Sequence, residues 1–545
     1  MSDSPAPGST IRVNAGGDLQ AALNRASCGD TVELQAGATF SGWFELPAKA
    51  CDDDHWVIVR TSAPDSSLPP EGVRLTPCYA GVSSLPNRPA YACSSPEKAL
   101  ATIVYTQTAG SGPLFLANGA NHYRLVGLEV TRSAGTGNLS HLLSVRKDGA
   151  ANHIVLDRVW MHGTARDETK SGFHLSGLTF AAIVDSYLND FHCISMTGAC
   201  TDAQAVSGGT GNLAGGPYKI VNNFLEASTE AILFGGGAAT KTPTDIEIRR
   251  NHFYKPMQWM KGVAGYVGAA NGNPFTVKNH LELKNAQRVL IEGNIMENTW
   301  GDQPGGPAQG GDGSISWLGP KSQNSQCPSC DVSDVTIRYN LVRHAGGGFY
   351  IFDSTSDTGA LALQAKRYSI HDNLLDDIST VYSRAGSGNG ILNRFLGSSI
   401  YAPPANINVL HNTGLAVGAA VLSLNGTSTV PYVGFNYSNN LESDGNYGIL
   451  GCSGQLGMNV LSSCAPGYVW SSNALLGSTS SLVSPSAVGF VNYKNGNGGD
   501  YRLCKGPGIP ASTCTAASPY ANAGTDGKDL GADISTMKAL TAGVD

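Results

Sequence analysis

The stretch Val335-Thr336-Ile337-Arg338-Tyr339-Asn340-Leu341-Val342 sets two apolar residues two apart, a turn-forming Asn three positions on, and another apolar residue two beyond it. The same frame returns at Ile246, Ile248, Asn251 and Phe253, at Val289, Ile291, Asn294 and Met296, and at Tyr368, Ile370, Asn373 and Leu375. Asn223 and Asn412 sit in it too, and upstream the Asn position is taken by Leu128, Val159 and Ser186. From 128 to 412 the successive intervals are 31, 27, 37, 28, 43, 46, 33 and 39 residues, so no fixed period survives. Leucine-rich and propeller repeats keep a nearly constant length, whereas a parallel β-helix lets its turns grow while its strands stay in register. Within each copy the two-residue alternation sends one side chain inward and the next outward. An Asn at the corner satisfies buried backbone groups at the bend and stacks on the Asn above it. The sequence therefore predicts an all-β solenoid whose longer coils carry inserted loops.

A solenoid grows by adding coils, so 545 residues fit one elongated domain over 11–545, after a disordered leader at 1–10. Gly at 68 positions and only 14% charged residues suit strands and tight turns. The net charge of -7 excludes a basic nucleic-acid groove, and no apolar run is long enough to span a bilayer. The twelve cysteines fall into neighbouring pairs: 28 with 51, 78 with 93, 193 with 200, 327 with 330, 452 with 464, and 504 with 514. Six short disulfide loops suit an oxidising compartment and imply an exported chain: secreted, periplasmic or at the cell surface. Zinc is the rival for Cys327-Pro-Ser-Cys330, with no second close pair to complete it. The opening Met-Ser-Asp-Ser-Pro-Ala-Pro-Gly lacks the apolar core of a signal peptide.

Asp18 can cap a short helix whose Leu19, Ala22, Leu23 and Ala26 share one face, a plug for the open end of the solenoid. That helix, Leu-Gln-Ala-Ala-Leu, and the Gly29-Asp-Thr-Val-Glu-Leu-Gln-Ala-Gly37 that follows resemble the N-terminal cap and first coil of the pectate-lyase-like right-handed β-helix superfamily. The tail agrees: Gly489-Phe-Val-Asn, Gly499-Asp-Tyr-Arg-Leu, Ser518-Pro-Tyr and Gly527-Lys-Asp-Leu-Gly-Ala-Asp533 resemble its closing segment. The resemblance implies a right-handed parallel β-helix with an N-terminal capping helix. It divides the chain into a cap and first coil (11–50), a disulfide-tied excursion (51–100), central coils (101–450) and C-terminal coils with a cap (451–545). Residues 255–275 and 299–334 read as long inserted loops, which in a solenoid build walls of a binding groove. The superfamily holds lyases, hydrolases, esterases and adhesins, so the fold alone names no reaction.

In Thr276-Val-Lys-Asn-His-Leu-Glu-Leu-Lys284, alternation predicts Lys278, His280, Glu282 and Lys284 on one outward strip, in a chain otherwise poor in charge. A solvated face with charges paired across i, i+2 is the plain alternative. Equivalent strands one and two coils earlier carry Asp202, Gln204 and Glu230, and later coils add Trp317, Asp353 and Arg394. Carboxylates crowded in this way either bind a cation such as calcium, with Asp202, Glu230 and Glu282 as ligands, or raise one another's pKa for acid/base work. Arg249, beside a corner, either pairs with Glu247 or Asp245 or holds a uronate carboxylate; Trp300, beside an inserted loop, either packs or stacks on a sugar ring. Lys284 and Asn294 are spaced as are the base Lys and the next corner Asn of the chondroitinase B and alginate lyase family, which the strip resembles. Glu282 stands near that family's calcium-binding acids, whereas Trp317 stands where its Arg would be expected. The resemblance implies β-elimination of an acidic, uronate-containing glycan, with Lys284 as base and Glu282, Glu230 and Asp202 as cation or substrate ligands. A glycoside hydrolase using two of Asp202, Glu230, Glu282 and Asp353, and a non-catalytic glycan-binding solenoid, stay open. The expected partner is a polysaccharide, with neither nucleic acid nor a membrane span, and the chain is expected to be a monomer.

Overall fold

The computed structural model describes every residue except 1–3, 108–110, 148, 196–197, 302–312, 357, 383–389, 398–401, 479–480, 505–508, 510–513 and 515. The chain divides into two compact units, one of residues 1–234 and 239–276, the other of 235–238 and 277–545. Each is built from the same coil, three short strands that feed three separate parallel sheets. In the second unit one coil is Val332–Arg338, Leu341–Ala345 and Gly347–Phe352. In the first a coil is Ala151–Asp157, Trp160–His162 and Thr169–His174. With parallel crossovers of the usual hand this is a right-handed parallel β-helix.

The repeat frame seen in the sequence fixes the register. Val289 lies opposite Val335, Val335 opposite Tyr368 and Tyr368 opposite Ile407, while Ile291, Ile337, Ile370 and Val409 form the next row. All these side chains are buried, so each row is a continuous apolar stack down the coil interior. The corner Asn residues form the predicted ladder. In the second unit Nδ2 of Asn294 donates to Oδ1 of Asn340 at 2.9 Å, Asn340 to Asn373 at 2.9 Å, Asn373 to Asn412 at 3.0 Å, Asn412 to Asn440 at 3.1 Å and Asn440 to Asn473 at 3.0 Å. The same amides satisfy backbone groups at the bend: Asn340 Nδ2 also donates to the Ile291 carbonyl at 3.0 Å, and its Oδ1 accepts the Asn294 N–H. In the first unit Asn223 and Asn251 are linked likewise, and the Ser186 hydroxyl stands in one coil earlier by accepting the Val159 N–H at 3.0 Å. The ladder reaches Asn440 and Asn473, past the copies that the sequence frame picked out.

The capping helix is Leu19–Arg25, with the Asp18 carboxylate accepting the Ala21 N–H and Leu19, Ala22 and Leu23 buried, as predicted. A second helix, Ile534–Thr541, closes the C-terminal coils by burying Ile534 and Met537 beside Leu441 and Ala474. All six disulfides pair as the spacing predicts, and no cysteine is free. Cys327 and Cys330 are therefore bonded to each other and hold no zinc. Part of the leader is held in place: the Pro5 carbonyl accepts the Trp56 N–H and the Ser9 N–H reaches Asp30, while 1–3 lie outside the described residues. Part of the 299–334 insertion, 302–312, lies outside them too. No helix among the described residues is long and apolar enough to cross a membrane.

Candidate functional site

In the second unit the segment 276–284 does not form one outward-facing strand. Only Leu281–Leu283 is strand, because the residues before it do not pleat and alternation cannot sort them. Lys278, His280, Glu282 and Lys284 are all buried, at 6%, 0%, 3% and 7% exposure, which removes the solvated-face alternative. His280 is occupied by its corner, its Nε2 lying 2.7 Å from the Glu297 carbonyl. The Lys278 carbonyl accepts from the Thr299 hydroxyl at 2.6 Å. Glu282 and Lys284 are brought together as an ion pair, Oε1 to Nζ 2.8 Å. Gly235 lies against the lysine: a Cβ there would come within 2.7 Å of the Lys284 Cβ, so only glycine leaves that space.

Register then lines up a row on the same face. Glu282 lies opposite Trp317, Trp317 opposite Tyr350, Tyr350 opposite Arg394 and Arg394 opposite Ser423. The Trp317 and Tyr350 rings stack with centroids 5.4 Å apart, and the Arg394 guanidinium sits 4.6 Å over the Tyr350 ring. Trp317 and Arg394 are half-buried, which leaves one face of the row to solvent. With strands about 4.8 Å apart, Arg394 stands roughly 14 Å along the row from Glu282. That is two to three sugar units away, too far to neutralise a carboxylate on the residue beside Lys284. Asp353 is buried near Tyr432, whose hydroxyl pKa burial and then Asp353 raise. Trp300 is fully buried and packs in the interior, so it offers no platform to a sugar ring.

In the first unit Gln204 and Glu230 meet, Nε2 to Oε2 3.0 Å, and Gln204 also donates to the Asp202 carbonyl. Around them lies a buried charged group that the sequence did not single out. Arg88 donates to Glu226 at 2.6 and 2.8 Å and to Asp190 at 2.6 Å. Burial opposes the Arg88 charge, but Asp190 and Glu226 outweigh it and raise its pKa. Lys255, fully buried just past the strand His252–Tyr254, is pushed down to about 7 by burial, with Glu230 and Glu226 opposing the shift. His192, stacked on Phe275 at 3.8 Å, is lowered to about 4 by burial. Arg249 lies on the first of the three sheets, the one that holds Ala151–Asp157 and Val332–Arg338, and pairs with Glu247 at 2.8 Å, the pairing alternative, so it is not among these groups.

Glu282 already has the Lys284 ammonium at 2.8 Å, and Glu230 interacts with Lys255 while accepting from Gln204. These two carboxylates already face a cationic side chain, a poor setting for calcium, an ion that wants several oxygens.

No protein-family model and no curated protein matches the chain. Among solved structures, an alginate lyase from Paenibacillus sp. str. FPU-7 is similar over 77% of this chain and 94% of its own, at 15% identity and a TM-score of 0.33. A mannuronic acid specific polysaccharide family 6 lyase from human gut microbiota is similar over 88% and 89%, at 11% identity and 0.46. Pectate lyase Pel9A is similar over 97% and 97%, at 11% identity and 0.36. The fold is a parallel β-helix. What establishes it here is the strand order itself.

Proposed function

We propose that the chain is an exported polysaccharide-active enzyme that cleaves an acidic, uronate-containing glycan by β-elimination. The observation that carries this reading is the Lys284–Glu282 pair at the head of the row Trp317, Tyr350 and Arg394. Aromatic faces suit sugar rings, and a guanidinium suits a carboxylate. A site nearly closed to water lowers the cost of neutral forms relative to charged ones, so the ammonium proton can pass to Glu282 and leave an amine. The Lys284 Nζ then takes the C5 proton of a uronate, the C5–H electrons form the C4–C5 double bond, and the C4–O4 bond breaks. The leaving oxygen takes the proton held on Glu282. The two groups lie 2.8 Å apart, so base and acid reach a bound sugar from the same face. Arg394, further along the row, holds the carboxylate of a more distant uronate and sets the register of the chain.

The test is incubation with a panel of acidic and neutral polysaccharides. New ultraviolet absorbance from an unsaturated uronate, lost in Lys284→Ala, is the result expected. Reducing ends without absorbance would assign a hydrolase, and binding without products a glycan-binding solenoid; either would sink the lyase reading.

A further inference from the structure

Three side chains meet on the first sheet of the first unit, and nothing in the proposed elimination uses them. Ligand atoms of Asp53, His122 and His153 all lie within 4.8 Å of one another. The two histidines occupy matching places on successive coils: Asn121 lies opposite Asn152 and Tyr123 opposite Ile154, and both histidines take left-handed φ values, 55° and 53°. The Asn before each ring faces its Nδ1, Asn121 Oδ1 at 2.8 Å and Asn152 Oδ1 at 2.6 Å. The Asn121 amide cannot be turned round, because its Nδ2 donates to the Lys49 and Gly119 carbonyls. Its oxygen is therefore an acceptor, the His122 Nδ1 carries the proton, and the Nε2 of a neutral ring presents a lone pair. That lone pair faces Asp53 Oδ1 at 3.1 Å. A proton on Nε2 or a bound cation would satisfy both atoms.

The loop that brings Asp53 over the ring is built. Cys51, two residues earlier, is bonded to Cys28; Asp54 N–H closes a turn on Asp52 Oδ1 at 3.2 Å; and the Trp56 indole N–H holds the Asp53 carbonyl at 3.1 Å. We propose that Asp53, His122 and His153 bind a divalent ion of the zinc class through one carboxylate oxygen and two Nε2 atoms, with water completing four ligands. Imidazole donors favour such ions over calcium or magnesium. The Asn121 contact acts as an outer partner that fixes the tautomer and aim of His122. Zinc bond lengths put neighbouring tetrahedral ligands about 3.3 Å apart, close to the 3.1 Å between Asp53 and His122. The two rings lie 5° from parallel with centroids 4.3 Å apart, so one ion cannot lie in both ring planes. His153, half-buried, must turn about its side chain and leave its stack on Phe180, itself 52% exposed. The bound ion would tie the 51–56 loop to two coils at once.

The full chain, dialysed against chelator, is titrated with zinc chloride by calorimetry, with metal content read by emission spectroscopy. One equivalent is expected, weakened at least tenfold by Asp53→Asn and by His153→Ala and unchanged by His55→Ala, whose ring faces Asp52. Cobalt chloride added to the unaltered chain should give the visible bands of a four-coordinate nitrogen and oxygen site, a readout that needs no variant to fold. Absence of uptake, binding that survives both ligand variants, or binding that depends on His55 overturns the proposal and leaves a protonated His122 paired with Asp53.

Discussion

Glu442 should cost the protein stability at neutral pH, and replacing it by Gln should recover that stability. The residue lies in the strand Leu441–Ser443, fully buried. It faces the coil interior, where Gly414 leaves it room: a Cβ there would meet the Glu442 Cγ at 3.2 Å. Its carboxyl accepts from the Tyr437 hydroxyl, and Asn393 Nδ2 lies 3.3 Å from Oε1. Burial pushes its pKa up to about 8 from 4.5, with Tyr437 and Asn393 only partly opposing it. The folded chain thus keeps a proton that the unfolded chain releases above pH 4.5. Stability from this group is fully present below pH 4.5 and is lost as pH rises to about 8, at about 1.4 kcal/mol per pH unit. By pH 7 the loss is about 3 kcal/mol, and it levels off near 5 kcal/mol above pH 8. Gln keeps the shape, can donate to the Tyr437 oxygen and accept from Asn393, and has no proton to lose. Urea unfolding of both proteins from pH 5 to pH 8.5 should show Glu442→Gln gaining steadily with pH. An advantage that is the same at pH 5 and pH 8, or a lower midpoint for the variant throughout, would refute the reasoning.

Lys284→Ala should lower turnover by roughly 100-fold or more on any glycan the native enzyme accepts. Glu282→Ala should do the same and also leave a buried ammonium without its partner, which costs about 3 to 5 kcal/mol in a thermal melt; the double change Lys284→Met with Glu282→Leu should restore most of the melt and none of the activity. Asn340→Leu should destabilise by about 1 to 3 kcal/mol, since the Ile291 carbonyl and the Asn294 N–H lose their partner. Asn440→Leu should cost as much, because Asn440 is a rung of the ladder; equal stability of native and variant chains in denaturant would remove the ladder from the account. Mass spectrometry of unreduced protein should find the six local bridges, and reduction should lower the melting temperature clearly, each loop being worth on the order of 2 to 4 kcal/mol.

The coil was legible because it is local: Ile246, Ile248 and Asn251 carry inward stack and corner within one strand and its turn. The disulfides were legible for the same reason. The site was legible only in part. Glu282 and Lys284 fell together because two residues of spacing along the chain is also a short distance in space. His280 was misplaced because the chain before Leu281 is not pleated and two-residue counting fails there. Arg88 could not be placed beside Glu226 and Asp190, since it arrives on the excursion that Cys78 and Cys93 tie off, and only the tertiary fold brings it in. Glu442 did leave a sign: it stands two residues after a corner Asn, where Phe253, Met296, Val342 and Leu375 stand in other copies. A charge in that column means a proton held in the interior.

Every link of the Asn ladder in the second unit points the same way, each side-chain amide giving its hydrogen to the next coil and taking one from the coil before. Aligned amides polarise one another, so the run behaves as a wire with unlike ends. A coil is then a spliceable part with a polarity. Any coil inserted into the run must bring an oxygen for the neighbour before it and a hydrogen for the neighbour after it, which the Asn amide supplies from one short side chain. Length can change by whole coils, one Asn at a time, while the loops between them vary freely.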